Sequence, residues 1–438
     1  MPQPARLAIG TVQMGVNRHP VLWGLFDLWR RQGLQVQPFR AHAELASSPG
    51  AEVATGRAYR HLDGGMMFPR LCGHLLQQGS RGCDLAVVDG QFNAPLRRSR
   101  AEEPDYFDAL CGSLDLAGVA VVNIAQLQGG HLPRRPRHLE AVILDEISNH
   151  HEAIRWILEI ESLWNVPVVG GMPQVTPLRT IAESISAEAR PSPQLCRLLG
   201  DALAPHCRED RLLDLGHRSP LNDDSAFANV SERGPRIAVG IDEAMSRYFP
   251  ENLEWLAAKG ATLLDFSPLR AEAPPEAEII YLADGCLQTY ARQLSRNHCL
   301  LASLRKHVAD GGQIYAEGMG AALLGRELLL PDGQLIRMAG VMPWSYRLLP
   351  PANPQHLRNI PHEEDNWLIH GCPHLRGYEG CSRLRLLIDA ETSSPTEETS
   401  AHIYAWRGAV ASTIPLFFPA HPRVVRNLLR MHWERVEI

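Results

Sequence analysis

Between residues 6 and 169 the chain returns repeatedly to a short apolar run: RLAIGTV at 6–12, LQVQPF at 34–39, LAVV at 85–88, VAVVNI at 119–124, AVIL at 141–144 and VPVV at 166–169. Runs rich in β-branched residues with no polar face suit strands buried on both sides, which requires a parallel sheet with helices over both faces. The stretches between them carry helical spacing. Leu22, Leu25, Phe26 and Trp29, for instance, share one helix face. A doubly wound α/β domain is the expected result.

The pattern breaks down near 205–235, where HRSPLNDDSAFANVSERGP is polar and turn-rich, as a linker would be. A second α/β unit begins with RIAVGI at 236–241. It continues with a helix over 252–259, strands at 261–266 and 279–282, a helix over 300–309, and a strand at 313–316 that runs into Glu317-Gly318-Met319-Gly320. Beyond 325 the chain reads as β-rich and irregular. The expected division is a domain at 1–215, a linker at 216–235 and a second domain at 236–438.

Composition excludes several functions. The net charge of −6 gives no bulk attraction to nucleic acid or to an acidic membrane. No run approaches the ~18 apolar residues of a membrane span. The start, MPQPARLAIG, lacks the segments of a secretion signal. The nine cysteines form no CxxC pair, so reduced thiols and a cytoplasmic location are expected. Lys259 and Lys306 are the only lysines, both in the second half of the chain.

Several segments, in order along the chain, resemble cobyrinate a,c-diamide synthases. GLQVQPFR (33–40) and ATGRAYRHLD (54–63) are similar to the stretch after that family's phosphate loop, and DLAVVDG (84–90) to its acidic strand end. RIAVGIDEAMSRYFPENLEWLAAKGATLLDFSPL, IYAEGMGAALLGREL, MAGVMP (338–343) and ASTIPLFFPAHP (411–422) resemble its glutamine-amidotransferase domain. The resemblance implies a P-loop-NTPase-like (dethiobiotin-synthetase-like) parallel sheet at the N-terminus, followed by a class I glutamine-amidotransferase-like, flavodoxin-like domain. It also implies a two-site reaction. ATP activates a tetrapyrrole carboxylate in the first domain, and a cysteine–histidine pair in the second releases ammonia from glutamine.

Neither site keeps its chemistry. A phosphate loop needs glycines, a lysine for the β/γ charge and a hydroxyl for magnesium. Where the family has Ser-Gly-Val-Gly-Lys-Thr-Thr, this chain has Met14-Gly15-Val16-Asn17-Arg18-His19-Pro20. Arginine does not replace a compact ammonium in a tight loop, Pro20 removes a donor, and no lysine precedes 259. Arg40-Ala41-His42-Ala43-Glu44 replaces a Lys-x-Gly-Pro-Asp pattern, Ser47 stands for an aspartate and Asp145 for an asparagine facing the nucleotide, while Asp89 keeps an acid. In the second domain Gly318 occupies the nucleophile position of Ala-Glu-Cys-Gly-Gly. Pro415 and Phe417 stand where histidines are expected, and Ala283-Asp284-Gly285-Cys286-Leu287-Gln288 replaces a glycine-rich turn. Thiol and base are both lost. The expectation is a degenerate member that uses neither ATP nor glutamine.

Three groups of residues could carry another role. His362, His370, Cys372, His374 and Cys381 cluster in sequence, and imidazole with thiolate suits zinc or haem iron; ordinary loop packing is the plainer explanation. Arg40, Arg57, Arg60, Arg97, Arg98, Arg100, Arg134, Arg135 and Arg137 fall in predicted loops near strand ends, where bidentate pairing could take a polycarboxylate. Trp344, Tyr346, Trp367, Tyr378 and Trp406 could stack on a macrocycle. His370, Cys372, His374, Arg40, Arg57, Trp344 and Tyr378 are thus the candidate ligand-binding residues, the first three also as metal ligands. Three roles stay open: a haem, corrin or other tetrapyrrole binder acting as carrier, chaperone or sensor; a scaffold or regulatory subunit of an active paralogue or other tetrapyrrole-modifying enzyme; and an active a,c-diamide synthase with other donors. A homodimer is compatible with each.

Overall fold

A computed structural model describes residues 3–45, 50–92, 105–127, 131–185, 190–221, 234–270, 273–349, 356–361, 365–379, 384–387 and 402–430. The chain divides into two compact units, Met1–Ala226 and Phe227–Ile438. The expected linker straddles that division, and its residues 222–233 lie outside the described ones. Among the described residues no helix is long and apolar enough to cross a membrane.

The first unit runs β1 (Ala5–Thr11), α1 (His19–Arg31), β2 (Val36–Arg40), α2 (Gly50–Thr55), β3 (Arg60–His61), α3 (Pro69–Gly79), β4 (Leu85–Gln91), α4 (Tyr106–Ser113), β5 (Ala117–Asn123), β6 (Leu139–Ile147), α5 (His150–Trp164), β7 (Val168–Pro173), α6 (Thr176–Ser184), α7 (Pro193–Leu203) and α8 (Glu209–Gly216). The strands lie in the order β3-β2-β4-β1-β5-β6-β7, and every neighbouring pair is parallel. The apolar runs therefore form the sheet expected of them. The short strand β3 and helix α8 come from polar sequence with no such run, so periodicity did not show them.

Alternate residues of the central strands build the core on one face: Leu7 and Ile9 of β1, Val119 and Val121 of β5, Ala141 and Ile143 of β6. Each column ends in a buried polar residue, Thr11, Asn123 or Asp145, at the C-terminal edge of the sheet. Helix α1 buries Trp23, Phe26 and Trp29 over this face. It packs closely on α7 because Gly24 and Gly200 face each other: a Cβ on Gly24 would lie 3.1 Å from the Leu199 carbonyl oxygen.

The second unit runs β8 (Arg236–Gly240), α9 (Pro250–Ala258), β9 (Thr262–Phe266), β10 (Ile279–Leu282), α10 (Leu287–Arg296), α11 (His298–Ala309), β11 (Gln313–Glu317) and α12 (Met319–Leu324). After these come β12 (Glu327–Leu329), β13 (Leu335–Arg337), β14 (Ser345–Leu348), β15 (His356–Asn359), β16 (Arg376–Glu379), β17 (Leu384–Leu387), β18 (Ile403–Trp406), β19 (Ala409–Ser412) and α13 (Pro422–Arg430). Its main sheet has the order β18-β19-β11-β10-β8-β9. It is parallel apart from β18, which runs antiparallel to β19. The β-rich tail forms a small sheet, β13-β12-β14-β17, and the pair β15-β16.

Candidate functional sites

Ligands of open α/β sheets bind outside the C-terminal strand ends. In the first unit that edge is filled by the protein's own charges. The Arg18 guanidinium pairs with the Asp89 carboxylate at the end of β4. Tyr59 donates to the other oxygen of Asp89 at 3.3 Å. Arg40 lies 4.6 Å above the Tyr59 ring and pairs with Glu44 at 3.1 Å. Burial pushes the Asp89 carboxyl up, but Arg18 and its neighbours outweigh that and hold it below the usual carboxylate range. His19 stacks on Trp23 with ring centroids 5.6 Å apart, and burial drives its pKa down to about 4, so the imidazole is neutral.

A second plug comes from α6. Arg179 meets Asp145 at 2.5 Å, Glu183 at 3.2 Å and the Asn17 carbonyl oxygen at 3.3 Å, and it also pairs with Glu146. Burial raises the Asp145 carboxyl to about 6. The Asn17 side chain accepts the His19 N–H at 2.9 Å, so a donor at the start of α1 is already taken. A nucleotide phosphate here would meet two buried carboxylates and a neutral imidazole in place of converging N–H groups and a lysine.

In the second unit the turn after β11 keeps its strained form. Gly318 has φ +48° and ψ −112°. A Cβ at this position would collide with the Asp284 carboxylate. Asp284 is wholly buried, accepts the Met319 N–H at 2.9 Å, and has Arg247 at 3.8 Å. The space of a nucleophilic side chain, and the backbone donor next to it, are both occupied. In the irregular segment after β19, Pro415 and Phe417 are buried, and Phe417 packs edge-on against Phe249 at 5.0 Å.

A family model described as a CobB/CobQ-like glutamine amidotransferase domain matches residues 236–379. The cobyrinate a,c-diamide synthase of Listeria monocytogenes serotype 4b is 26% identical over 353 residues, 77% of each chain. The chain is a relative of the cobyrinate a,c-diamide synthases. The enzyme of that name from Syntrophotalea carbinolica is 27% identical over 78% of each chain. The hydrogenobyrinate a,c-diamide synthase of Streptomyces coelicolor is 26% identical over 78% of this chain and 79% of its own. The family that the sequence resembles is therefore the one these similar proteins carry in their names, and the expected α/β architecture is present in both units.

The residues singled out for a new role have unlike surroundings within each unit. His370 is exposed and pairs with Asp365. His374 is also exposed, whereas the Cys372 thiol is buried against the His370 carbonyl oxygen, 3.8 Å away. Among the described residues no three His, Cys, Asp or Glu side chains converge as a metal-ligand group; His362 and Cys381 lie outside them. Of the arginines, Arg40 stands at the C-terminal edge of the first sheet. Arg57 precedes β3 and acts on Cys83, just before β4. Arg134, Arg135 and Arg137 precede β6, with Arg135 on the Leu139 carbonyl oxygen at 3.1 Å. These belong to the opposite edge, and Arg97, Arg98 and Arg100 lie outside the described residues.

The aromatic residues divide as well. Trp344 donates to the Tyr346 hydroxyl at 3.1 Å and packs against Tyr404 and Trp406 at 5.8 and 6.4 Å. Tyr378 is buried on β16 opposite Leu357. Sequence reasoning missed the roles of Tyr59, Arg179, Asp284 and Glu317. Asp284 carried a signal, an acid in a turn expected to be glycine-rich; the other three carried none.

Proposed function

We propose that this protein is a non-catalytic relative of the a,c-diamide synthases that binds a tetrapyrrole as carrier, chaperone or sensor. The observation that carries the reading is the Asp284 carboxylate seated against Gly318 with the Met319 N–H on it. Thiol-based glutaminase chemistry needs that volume for its nucleophile and a backbone donor free for the developing oxyanion. The Arg18–Asp89 and Arg179–Asp145 pairs in the first unit support the same conclusion for phosphoryl transfer.

The choice of ligand rests on the relatives, whose names specify corrin-type substrates, and on the match to them across both units. Such macrocycles pair a broad apolar face with a carboxylate rim. His370, Cys372 and His374 do not converge as a ligand group among the described residues, so the proposal assigns no iron ligand.

The test has two arms. The purified protein is assayed for glutamate release and ATP hydrolysis, both expected at buffer level. It is also titrated spectroscopically with haem and with a metal-free porphyrin or corrin. Saturable binding below about 10 μM, a free energy near −7 kcal/mol, supports the reading. No binding, with co-purification of an active tetrapyrrole-modifying enzyme, would favour a scaffold subunit. Turnover of ATP or glutamine would restore the active-enzyme reading.

A further inference from the structure

The Glu317 carboxyl is buried at the last residue of β11, and the groups that bond it come from three directions. Tyr281 of β10 donates to Oε2 at 3.0 Å, Tyr315 of the same strand donates to Oε1, and the Leu416 N–H donates to Oε1 at 2.7 Å. The Leu416 bond ties the strand end to the segment after β19. Asn252 of α9 holds the same segment from the other side, through the Leu416 carbonyl oxygen at 2.8 Å and the Phe418 N–H at 2.7 Å. The rings of Tyr281, Tyr315 and Phe418 pack together with centroids 5.3 to 5.9 Å apart.

We propose that Glu317 is a proton-linked latch: protonated, it keeps the 412–418 segment packed and dry, and on ionisation it admits water and loosens that segment. The groups that bond it are two tyrosine hydroxyls and a backbone N–H, none of them cationic. Tyr248, on the loop before α9, stands edge-on to Tyr281 at 5.2 Å and spends its hydroxyl on the Gly240 carbonyl oxygen at 2.6 Å. The nearby charge is Asp284, a second buried carboxylate on the other side of Gly318, and the cation beside it, Arg247, is 3.8 Å from Asp284. Ionising Glu317 therefore places two like charges around one strained turn. Burial, reinforced by Asp284, pushes the Glu317 carboxyl up to about 7 against the hydrogen bonds that favour its charge. A buried carboxylate with no cation lowers its free energy most directly by local opening to water. The proton lost goes to solvent, and no other reactant is needed.

Hydrogen–deuterium exchange of the full chain from pH 5 to 8.5, corrected for intrinsic exchange, tests the latch. Because the closed-state carboxyl is raised to about 7 while an opened one returns to the ordinary carboxylate range, peptides covering 313–320 and 412–418 are expected to gain at least tenfold in exchange as pH rises from 5 to 7 and to level off above it, while the first unit shows no such step. Glu317→Gln removes the step. Tyr315→Phe, which deletes a donor to the carboxylate, moves it to higher pH, and Asp284→Asn, which deletes the like charge, moves it to lower pH. If Glu317→Gln does not fold, these opposite displacements decide the matter. A flat profile in the parent protein, a step that survives Glu317→Gln, or displacements of the same sign would overturn the proposal. The latch stands or falls independently of any macrocycle.

Discussion

Asp284 stands where a side chain on Gly318 would have to go, and the N–H of the next residue, Met319, is bonded to it at 2.9 Å. The two positions define each other. Glycine at 318 makes room for the carboxylate, and the carboxylate satisfies a donor that a catalytic elbow would leave open for substrate.

Restoring the thiol alone should therefore fail. A cysteine at 318 must hold a backbone near φ +48° and displace Asp284. Positive-φ strain of this kind costs about 1–3 kcal/mol before the clash is counted. Gly318→Cys is expected to lower the urea midpoint and to release no glutamate, and adding Asp284→Gly is expected to recover part of the stability. Unchanged stability in Gly318→Cys would show that Asp284 does not hold the turn.

The Arg18–Asp89 pair makes a matching prediction in the first unit. Removing one partner of a buried ion pair costs about 3–5 kcal/mol because the other charge is stranded. Arg18→Ala should be destabilised by that amount, and Arg18→Ala/Asp89→Leu should regain most of it. Magnesium–ATP at millimolar concentration should leave the melting temperature of the parent unmoved, whereas ligand at 100 times its Kd would add about 2.7 kcal/mol. A clear shift, abolished by Arg18→Ala, would mean that the loop still takes nucleotide.

His19 supplies a pH signature. Its pKa falls from 6.5 to about 4 on burial, so the unfolded chain binds a proton that the folded chain cannot. The stability this group contributes is full above the unfolded value and is lost as pH falls from 6.5 towards 4. Chemical denaturation at several pH values should give a shallower loss over that interval for His19→Gln than for the parent. Equal slopes would place the ionisation elsewhere.

The dispersal of the histidine–cysteine cluster has its own consequence. His370→Ala/Cys372→Ala/His374→Ala should leave the affinity and the absorption spectrum of any bound macrocycle unchanged. Loss of a haem-specific band in that variant would make one of the three an axial ligand after all.

Much of this was legible in one dimension. The apolar runs at 6–12, 85–88, 119–124 and 141–144 became the central strands because a doubly covered parallel sheet leaves no alternative place for them. The helix expected over 300–309 begins two residues earlier, at His298, because the Asn297 side chain caps its first turn, as Asn149 caps α5. The missing lysine, thiol and base were equally plain, since an absent functional group needs no coordinates to be noticed.

The groups that replaced them were not legible. Arg179 and Asn17 lie 162 positions apart, and Asp284 and Met319 lie 35 apart; no local pattern couples such pairs, because register and crossover geometry bring them together. The same holds for Arg57, which reads as a strand-end arginine but belongs to the opposite edge of the sheet from Arg40. The sequence by itself determined the resemblance to the family, the two α/β units and the absence of the family's lysine, thiol and histidine at the matching positions, because hydrophobic periodicity and side-chain chemistry are local properties. Only the tertiary structure decided that the matching positions in both units are filled by buried carboxylates and arginines, because pairing charges away from water depends on distances that only the folded chain sets.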